Sequence, residues 1–348
     1  MDRYIGLDVH TQSCTMAIVG PSGRRLKTLV LETNGRVLVD AIKGVAGQRH
    51  LCLEEGTQSA WLHELLSPHV AELVVTVPQK RRGAKDDLRD ATELAEGLRT
   101  GSLKTRVYKV PKRLAGLQNA VRAYGMATRD IVRAKNRLKA AFRARGVMTD
   151  RTLYDPSKRS MWLEELPARH RRFADWLGQE LDALEPLQGQ AERWLREEAK
   201  DLPIVGTLAT APGLGIIRSA QVVAIVGTPH RFRTSRQFWS YCGLGIVTRS
   251  TSDWVQRDGG WERAQVNQTR GLSRRRQPTL KAVFKGAATT VICQLPEHPL
   301  HQVYLRLLDA GTKPNLAKLT LSRKIAAAVL SMWKHEEVYD LKRVTRTA

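Results

Sequence analysis

Three short apolar runs fill the first 32 residues, and this pattern constrains the fold more than any other feature of the chain. The runs are YIGLDVH (4–10), CTMAIVG (14–20) and LKTLVLE (26–32), and turn-forming residues such as GPSGRR separate them. Apolar runs of this length joined by short turns predict a three-stranded antiparallel meander. Helix-like and strand-like segments alternate after it, so the sequence predicts an α/β domain over residues 1–110.

Carboxylates follow two of the predicted strands and occupy one predicted helix. Asp8 ends the first apolar run, Glu54 and Glu55 end RHLCLEEG, and Asp87 and Asp90 lie one turn apart in AKDDLRDATELAEGLR. These three places can meet at one edge of an α/β sheet, where carboxylate oxygens would suit Mg²⁺. The sequence therefore predicts a site for two Mg²⁺ ions that activates water or holds a scissile phosphate. The alternative is an ordinary strand end and a helix N-terminus stabilised by acids.

The charge of the chain predicts a polyanionic partner. Lys and Arg number 57 against 34 Asp and Glu, which gives a formal net charge of +23 at pH 7. This excess is larger than solubility needs, and it favours nucleic acid. The sequence contains no run of about 18 apolar residues and no signal-peptide pattern, so we expect a cytoplasmic protein without a membrane partner.

Four widely separated cysteines predict core thiols in a reducing compartment, rather than zinc ligands. They are Cys14, Cys52, Cys242 and Cys293.

The middle region, residues 111–202, is predicted to be helical. Apolar residues recur at helical spacing between residues 112 and 145, and the polar positions there are almost all Lys or Arg. This pattern favours a helix that follows a phosphate backbone, although a solvated helix face is the alternative. The predicted nucleic-acid contacts are Arg133, Lys135, Arg137 and Lys139.

Residues 150–200 have both signs of charge around an apolar stripe. Trp176, Leu181, Leu184 and Leu187 form this stripe. Such a pattern is typical of helix pairing and predicts a coiled-coil-like spacer or dimerisation arm. The alternative is core packing inside one chain.

A third region, residues 203–348, is predicted to be mostly helical. Gly213 and Gly215 lie between two helix-forming runs, which predicts a segment like a helix-hairpin-helix. Backbone N–H groups at such a helix N-terminus can bind phosphate, although an ordinary tight turn has the same pattern. The later stretch RGLSRRRQPTLK predicts further phosphate contacts, with a solvated basic surface as the alternative. Its candidates are Arg270, Arg274, Arg275 and Arg276.

These motifs resemble the DEDD-type transposases of bacterial insertion sequences, the "one-ten" family, whose members are bridge-RNA-guided recombinases. The resemblance rests on GLDVH (6–10), LEEGT (53–57), KDDLRDA (85–91) and APGLG, followed by HRF, YCGLG and VTRSTSD. It implies a RuvC-like, ribonuclease H-type first domain and a C-terminal transposase domain. The metal ligands that it implies are Asp8, Glu54, Asp87 and Asp90. Glu55 is an alternative to Glu54 because of its E-x-T spacing to Thr57.

The resemblance also implies a serine nucleophile that attacks a DNA phosphate and forms a covalent intermediate. Ser250 is the first choice and Ser252 the second, because RSTSD lacks the glycine that follows this serine in many relatives. Thr251 also stays open, and without the resemblance RSTSD is typical of a hydroxyl-rich turn. The implied partners are donor and target DNA, a bridge-type guide RNA, and a homodimer that assembles to a tetramer on DNA in the nucleoid. The alternative functions are a RuvC-like metal-dependent junction nuclease and a non-catalytic nucleic-acid-binding protein.

Overall fold

The chain forms two compact units, residues 1–112 and residues 113–348. The computed structural model describes residues 1–78, 86–103, 105–248, 254–257, 259–263, 269–273 and 276–340. The first unit is built on a central sheet, and the second is mainly helical. The prediction of an α/β domain followed by helical regions is therefore confirmed. The division into three parts at residues 110 and 202 stays a prediction.

Among its described residues, the first unit contains a five-stranded sheet and three α-helices. The strands are β1 (Asp2–Val9), β2 (Ser13–Val19), β3 (Arg25–Glu32), β4 (Gln48–Glu54) and β5 (Glu72–Thr76); the helices are α1 (Gly35–Lys43), α2 (Ser59–Leu66) and α3 (Asp87–Arg99). The strand order is β3-β2-β1-β4-β5. Strands β1 to β3 are antiparallel, as predicted, whereas β4 pairs parallel with both β1 and β5. The carboxyl ends of β1 and β4 therefore lie side by side.

Alternating residues of the central strands point to opposite faces of this sheet. Leu7 and Leu53 belong to a large apolar core that includes residues of α1 and α2. Cys52 instead packs with Leu94 and Leu98 of α3 on the other face. Because side chains alternate along a strand, Asp8 at the end of β1 and Glu54 at the end of β4 lie on the face that carries α3.

Helix α3 lies very close to β1 because Gly6 has no side chain. A Cβ atom at Gly6 would lie 1.8 Å from the carbonyl oxygen of Ala91 and 2.7 Å from the backbone nitrogen of Ala95. Both alanines are fully buried. These small residues bring the first turn of α3 to the end of β1.

The second unit contains nine helices and two short strand pairs among its described residues. The helices are α4 (Ala115–Arg143), α5 (Arg159–Glu164), α6 (Ala168–Lys200), α7 (Pro203–Ala209), α8 (Gly215–Val226), α9 (Ser235–Tyr241), α10 (Pro278–Gln294), α11 (Pro299–Asp309) and α12 (Pro314–His335). The strands are β6 (Ile246–Thr248), β7 (Trp254–Arg257), β8 (Gly260–Arg263) and β9 (Thr269–Leu272). Strand β6 pairs with β9, and β7 with β8.

The two long helices α4 and α6 pack against each other within the chain. Leu138 and Phe142 of α4 share one buried cluster with Leu177 and Leu181 of α6. Packing inside one chain, one of the two interpretations of the stripe at residues 150–200, is thus present. Only part of the predicted stripe is buried, because Trp176 and Leu187 are 59% and 52% exposed. The apolar face of α6 that packs on α4 is therefore rotated about the helix axis relative to the predicted stripe. The dimerisation arm stays a prediction.

Three of the four cysteines are core residues. Cys14, Cys52 and Cys242 are buried, whereas Cys293 at the end of α10 is exposed, so the prediction is wrong for Cys293. The helical pattern around Cys293 leaves it on the solvent side of α10, and the sequence alone did not identify that side. Among the described helices, none combines the length and apolar character needed to cross a lipid bilayer.

Candidate functional site

Asp8, His10 and Asp87 meet where the end of β1 approaches the start of α3. His10 Nε2 lies 3.3 Å from Asp8 Oδ2 and 3.2 Å from Asp87 Oδ1. One ligand atom from each of the three residues lies within 4.8 Å of the other two. The sequence prediction included both carboxylates but missed His10. Strand periodicity places residues 8 and 10 on the same side of an extended chain, but this spacing alone is too common to indicate a ligand.

The local structure fixes the position of His10. Its backbone N–H donates to Ser13 O at 2.9 Å, and its carbonyl oxygen accepts a hydrogen bond from Thr33 Oγ1 at 2.9 Å. Asp8 Oδ2 and His10 Nε2 are both buried, and neither has a hydrogen-bond partner within the described part of the chain. Buried polar atoms are normally partnered, so these two fit a cation bound between them. A metal ion would satisfy both.

Glu54 and Glu55 have different neighbours at the end of β4. The parallel register pairs Leu7 with Leu53, so Glu54 follows beside Asp8 on the face of the sheet that carries α3. Glu55 instead forms an ion pair with Lys109 and accepts a hydrogen bond from Ser59 Oγ at 3.2 Å. Glu54 is therefore the acid of this pair that lies beside Asp8, although it is outside the group of three that lies within 4.8 Å.

The acids of α3 have different surroundings. Asp86 is the N-cap, and its side chain accepts hydrogen bonds from Leu88 N at 3.0 Å and Arg89 N at 3.4 Å. Asp87 and Asp90 lie in the first turn. Asp86 therefore has the N-capping role that was the alternative interpretation of these acids. The Asp87 carboxylate does not cap the helix and instead lies next to His10. Like Glu54, Asp90 is outside the group of three.

A cleft of about 200 Å³ opens beside these residues. Asp8, His10, Glu54 and Glu55 line it, together with the turn that leads into α2. A second cavity of about 250 Å³ lies along α3, and Glu54 borders this one too. Glu54 thus separates two spaces at the carboxyl end of the sheet.

The basic residues of α4 have acidic partners that the sequence did not reveal. Lys135 Nζ lies 3.1 Å from Glu185 Oε1, and Arg137 forms an ion pair with Glu180, both acids belonging to α6. Arg133 pairs with Asp130 on its own helix at 3.1 Å. Exposed pairs of this kind contribute only about 0–1 kcal/mol, so phosphate groups could replace the acids. For Lys139, as for these three, contact with nucleic acid stays a prediction.

The two glycines of the predicted hairpin have different roles. Both have positive φ, +75° at Gly213 and +62° at Gly215. A Cβ at Gly213 would lie 2.4 Å from the carbonyl oxygen of Ala287, so Gly213 allows close packing on α10. Gly215 is exposed, with open space around its missing Cβ, at the first residue of α8. Of the two, Gly215 is the one whose backbone a phosphate could approach.

Several predicted residues lie outside the described residues. Ser250, Thr251, Ser252, Arg274 and Arg275 are among them, and Arg270 is described only as a backbone position in β9. Arg276 is exposed, and its Nη1 donates to Ser273 O at 3.1 Å. The predicted roles of these residues stay predictions.

Comparison with known proteins relates both halves of the chain to transposases. Residues 5–144 match a DEDD transposase model of IS110 type, described as "Transposase". Residues 205–304 match the model described as "Transposase IS116/IS110/IS902 family". A relative from Pseudomonas aeruginosa (strain PAO1), named "Probable family 20 transposase", is 25% identical over 300 residues, which are 82% of this chain and 83% of the relative. The two matched ranges follow each other along the chain, and the chain belongs to the IS110 family of transposases, enzymes that recombine DNA.

Proposed function

We propose that this transposase cuts and rejoins DNA strands with a divalent metal site in its first unit. The convergence of Asp8, His10 and Asp87, with two buried atoms that lack hydrogen-bond partners among the described residues, carries this proposal. Glu54 supports it, because it follows β4 next to Asp8 and borders the same cleft. A ribonuclease H-like fold is proposed on the strand order β3-β2-β1-β4-β5, with an antiparallel meander followed by parallel strands.

The proposed ligands are Asp8, Glu54, Asp87 and Asp90, and the proposed ions are two Mg²⁺. When bound, the metal polarises a DNA phosphate and stabilises the charge that develops on it during strand cleavage. Among the chain's own residues, Asp8 and Asp87 hold the cation between β1 and α3. Glu55 is not proposed as a ligand, because Lys109 and Ser59 already engage its carboxylate.

Ser250 is the proposed nucleophile, with Ser252 as the alternative. Its hydroxyl oxygen would form a bond to a DNA phosphorus, the bond from phosphorus to a sugar oxygen would break, and the departing sugar oxygen would take up a proton. Reversal of the same step with a new sugar hydroxyl joins the strands and frees the serine. A serine hydroxyl is a weak nucleophile and needs activation, so we propose that a bound divalent metal supplies it by polarising the phosphate under attack.

Nucleic acid is the proposed partner of the basic helices, and it includes both DNA and a bridge-type guide RNA. The net charge of +23 supports a polyanionic partner. Exposed basic residues on α4 and the open N-terminus of α8 at Gly215 could bind phosphates. A homodimer that assembles to a tetramer on DNA, in the nucleoid, completes the proposal.

Trapping of a covalent intermediate tests the serine chemistry. The wild-type protein, with its copurified RNA and a DNA containing the insertion-sequence junction, should give a protein–DNA adduct that survives denaturation. Ser250→Ala should abolish the adduct, whereas Ser252→Ala should retain it. Loss only in Ser252→Ala would move the nucleophile to that residue.

Substitution of the acids completes this experiment. Asp8→Asn and Asp87→Asn should abolish cleavage, whereas Glu55→Gln should retain it. Nicking that needs the acids but gives no adduct in any variant would identify a water-activating nuclease instead of a serine recombinase. Activity that survives every substitution of an acid would contradict the metal site.

A further inference from the structure

His10 lies between the two acids where a ligand of the metal would lie. Its Nε2 is 3.3 Å from Asp8 Oδ2 and 3.2 Å from Asp87 Oδ1. Adjacent ligands of an octahedral ion lie about 3 Å apart, because each is about 2.1 Å from the ion and they subtend a right angle. His10 Nε2 therefore has the spacing of a ligand adjacent to each of the two carboxylate oxygens.

A hydrogen bond explains only part of this arrangement, and an ion pair with both carboxylates requires a protonated His10. An imidazole nitrogen carries at most one proton, so His10 Nε2 can direct a full hydrogen bond at only one of the two carboxylates at a time. Among the described residues this nitrogen atom has no hydrogen-bond partner and is itself buried, although the His10 side chain as a whole is 33% exposed. In the neutral tautomer with an unprotonated Nε2, three electron-rich atoms converge. A cation is the partner that all three share.

We propose that His10 supplies a nitrogen ligand to the metal, and that this centre therefore binds a first-row transition ion such as Mn²⁺ more tightly than Mg²⁺. The inference rests on the metal site of the proposed function. Carboxylate oxygens alone suit Mg²⁺, whereas imidazole favours transition ions. Thr33 supports this role, because its hydroxyl group donates to the carbonyl oxygen of His10 and fixes the turn that presents the ring.

The nitrogen ligand can be detected directly. Mn²⁺ bound to the full-length protein should show ¹⁴N coupling in pulsed electron paramagnetic resonance spectra. The coupling should disappear in His10→Ala and in His10→Asp, and it should persist in the matched control His69→Ala. Bound Mn²⁺ without ¹⁴N coupling, or coupling that survives in His10→Ala, would overturn the proposal.

Metal preference provides the second measurement. His10→Ala should raise the dissociation constant for Mn²⁺ by about tenfold or more and that for Mg²⁺ by less, because the lost ligand is the nitrogen. His10→Asp should restore Mg²⁺ binding, because it replaces the nitrogen with a carboxylate oxygen. Equal losses of both ions in His10→Ala, without rescue by His10→Asp, would overturn the proposal and assign His10 a positioning role.

Asp8→Ala separates this inference from the proposed function. It should abolish binding of both ions. If Mn²⁺ binding is unchanged in Asp8→Ala, or if neither ion binds the wild-type protein, the metal site itself is wrong and the inference fails with it. If Asp8→Ala abolishes binding while ¹⁴N coupling is absent from the wild type, only the role of His10 is wrong. Thermal unfolding of each variant shows whether the protein is folded.

Discussion

A Cβ atom on Gly6 would lie 1.8 Å from the carbonyl oxygen of Ala91. No side chain fits in that space, so glycine at this position of β1 is what allows α3 to approach the sheet. The same approach brings Asp87, one turn before Ala91, to His10 and Asp8. The glycine and the aspartate of GLDVH therefore act together. Gly6 allows α3 to pack closely on β1, and this close packing brings Asp87 to the cluster that contains Asp8.

Gly6→Ala should destabilise the protein by about 3 kcal/mol or more, because the added methyl group overlaps the backbone of α3. Gly20→Ala is the matched control. Gly20 is also buried, but its nearest neighbours would be 3.6 Å from a new Cβ, which is an ordinary contact. We expect a change within about 1 kcal/mol for the control. Urea unfolding measures both, and equal effects would contradict the close approach of α3.

Glu54→Gln and Glu55→Gln should have opposite outcomes. The first removes a proposed ligand and should lower the rate of DNA cleavage on the order of 100-fold or more. The second weakens the contacts of Glu55 with Lys109 and Ser59, at a cost of about 1 kcal/mol in stability, and should leave cleavage within about threefold. Cleavage of a labelled DNA at saturating metal compares them. Loss of activity only in Glu55→Gln would reverse the assignment.

Asp182→Ala should destabilise the second unit by about 2–3 kcal/mol. Arg159 donates to both carboxylate oxygens of Asp182 at 2.7 Å, and its side chain is 5% exposed. Removal of the carboxylate leaves a buried guanidinium without its partner. Glu192→Ala removes an exposed pair with Arg196 and should cost about 0.5 kcal/mol or less. Thermal unfolding distinguishes the two, and a similar small shift in both would show that the Arg159 pair contributes little.

Thiol labelling of the native protein at pH 8 should modify one cysteine quickly. Cys293 is exposed, whereas burial raises the pKa of Cys52 to about 12 and also raises the pKa values of Cys14 and Cys242. The reactive thiolate is therefore scarce at these three buried sites. Mass spectrometry after a short reaction with a maleimide identifies the labelled residue. Cys293→Ser should remove the fast phase, and Cys242→Ser should not; fast labelling of Cys242 would contradict its burial.

Much of the first unit could be predicted from the sequence because its signals are local. The apolar runs and the turns between them predicted the meander, and acids at strand ends predicted where carboxylates would collect. Asp8 and Asp87 do meet as expected. The interval between His10 and Asp8 was also visible in the sequence, but a single histidine two residues from an acid is too common to indicate a ligand without its neighbours in space.

The charge pairing between the long helices could not be predicted, because it depends on residues far apart in the sequence. The sequence of α4 contains almost no acids at its polar positions, which predicted a free basic face. Acids from α6 pair with Lys135 and Arg137 across the helix pair, and these acids lie 50 and 43 residues further along the chain. Neither helix carries this information by itself. The pairing depends on which faces of two helices pack together, and amphipathic patterns define such faces only approximately.

By itself, the sequence determined the alternation of strands and helices, the basic charge and the positions of the acids along the chain, because each of these is a property of consecutive residues. Only the tertiary structure decided which of two adjacent glutamates lies beside Asp8, since the pleat of β4 sends Glu54 to the face with α3 and Glu55 to Lys109. It also decided that His10 completes a cluster with Asp8 and Asp87. That cluster exists because Gly6 lets helix α3, which begins 81 residues later, rest directly on the first strand.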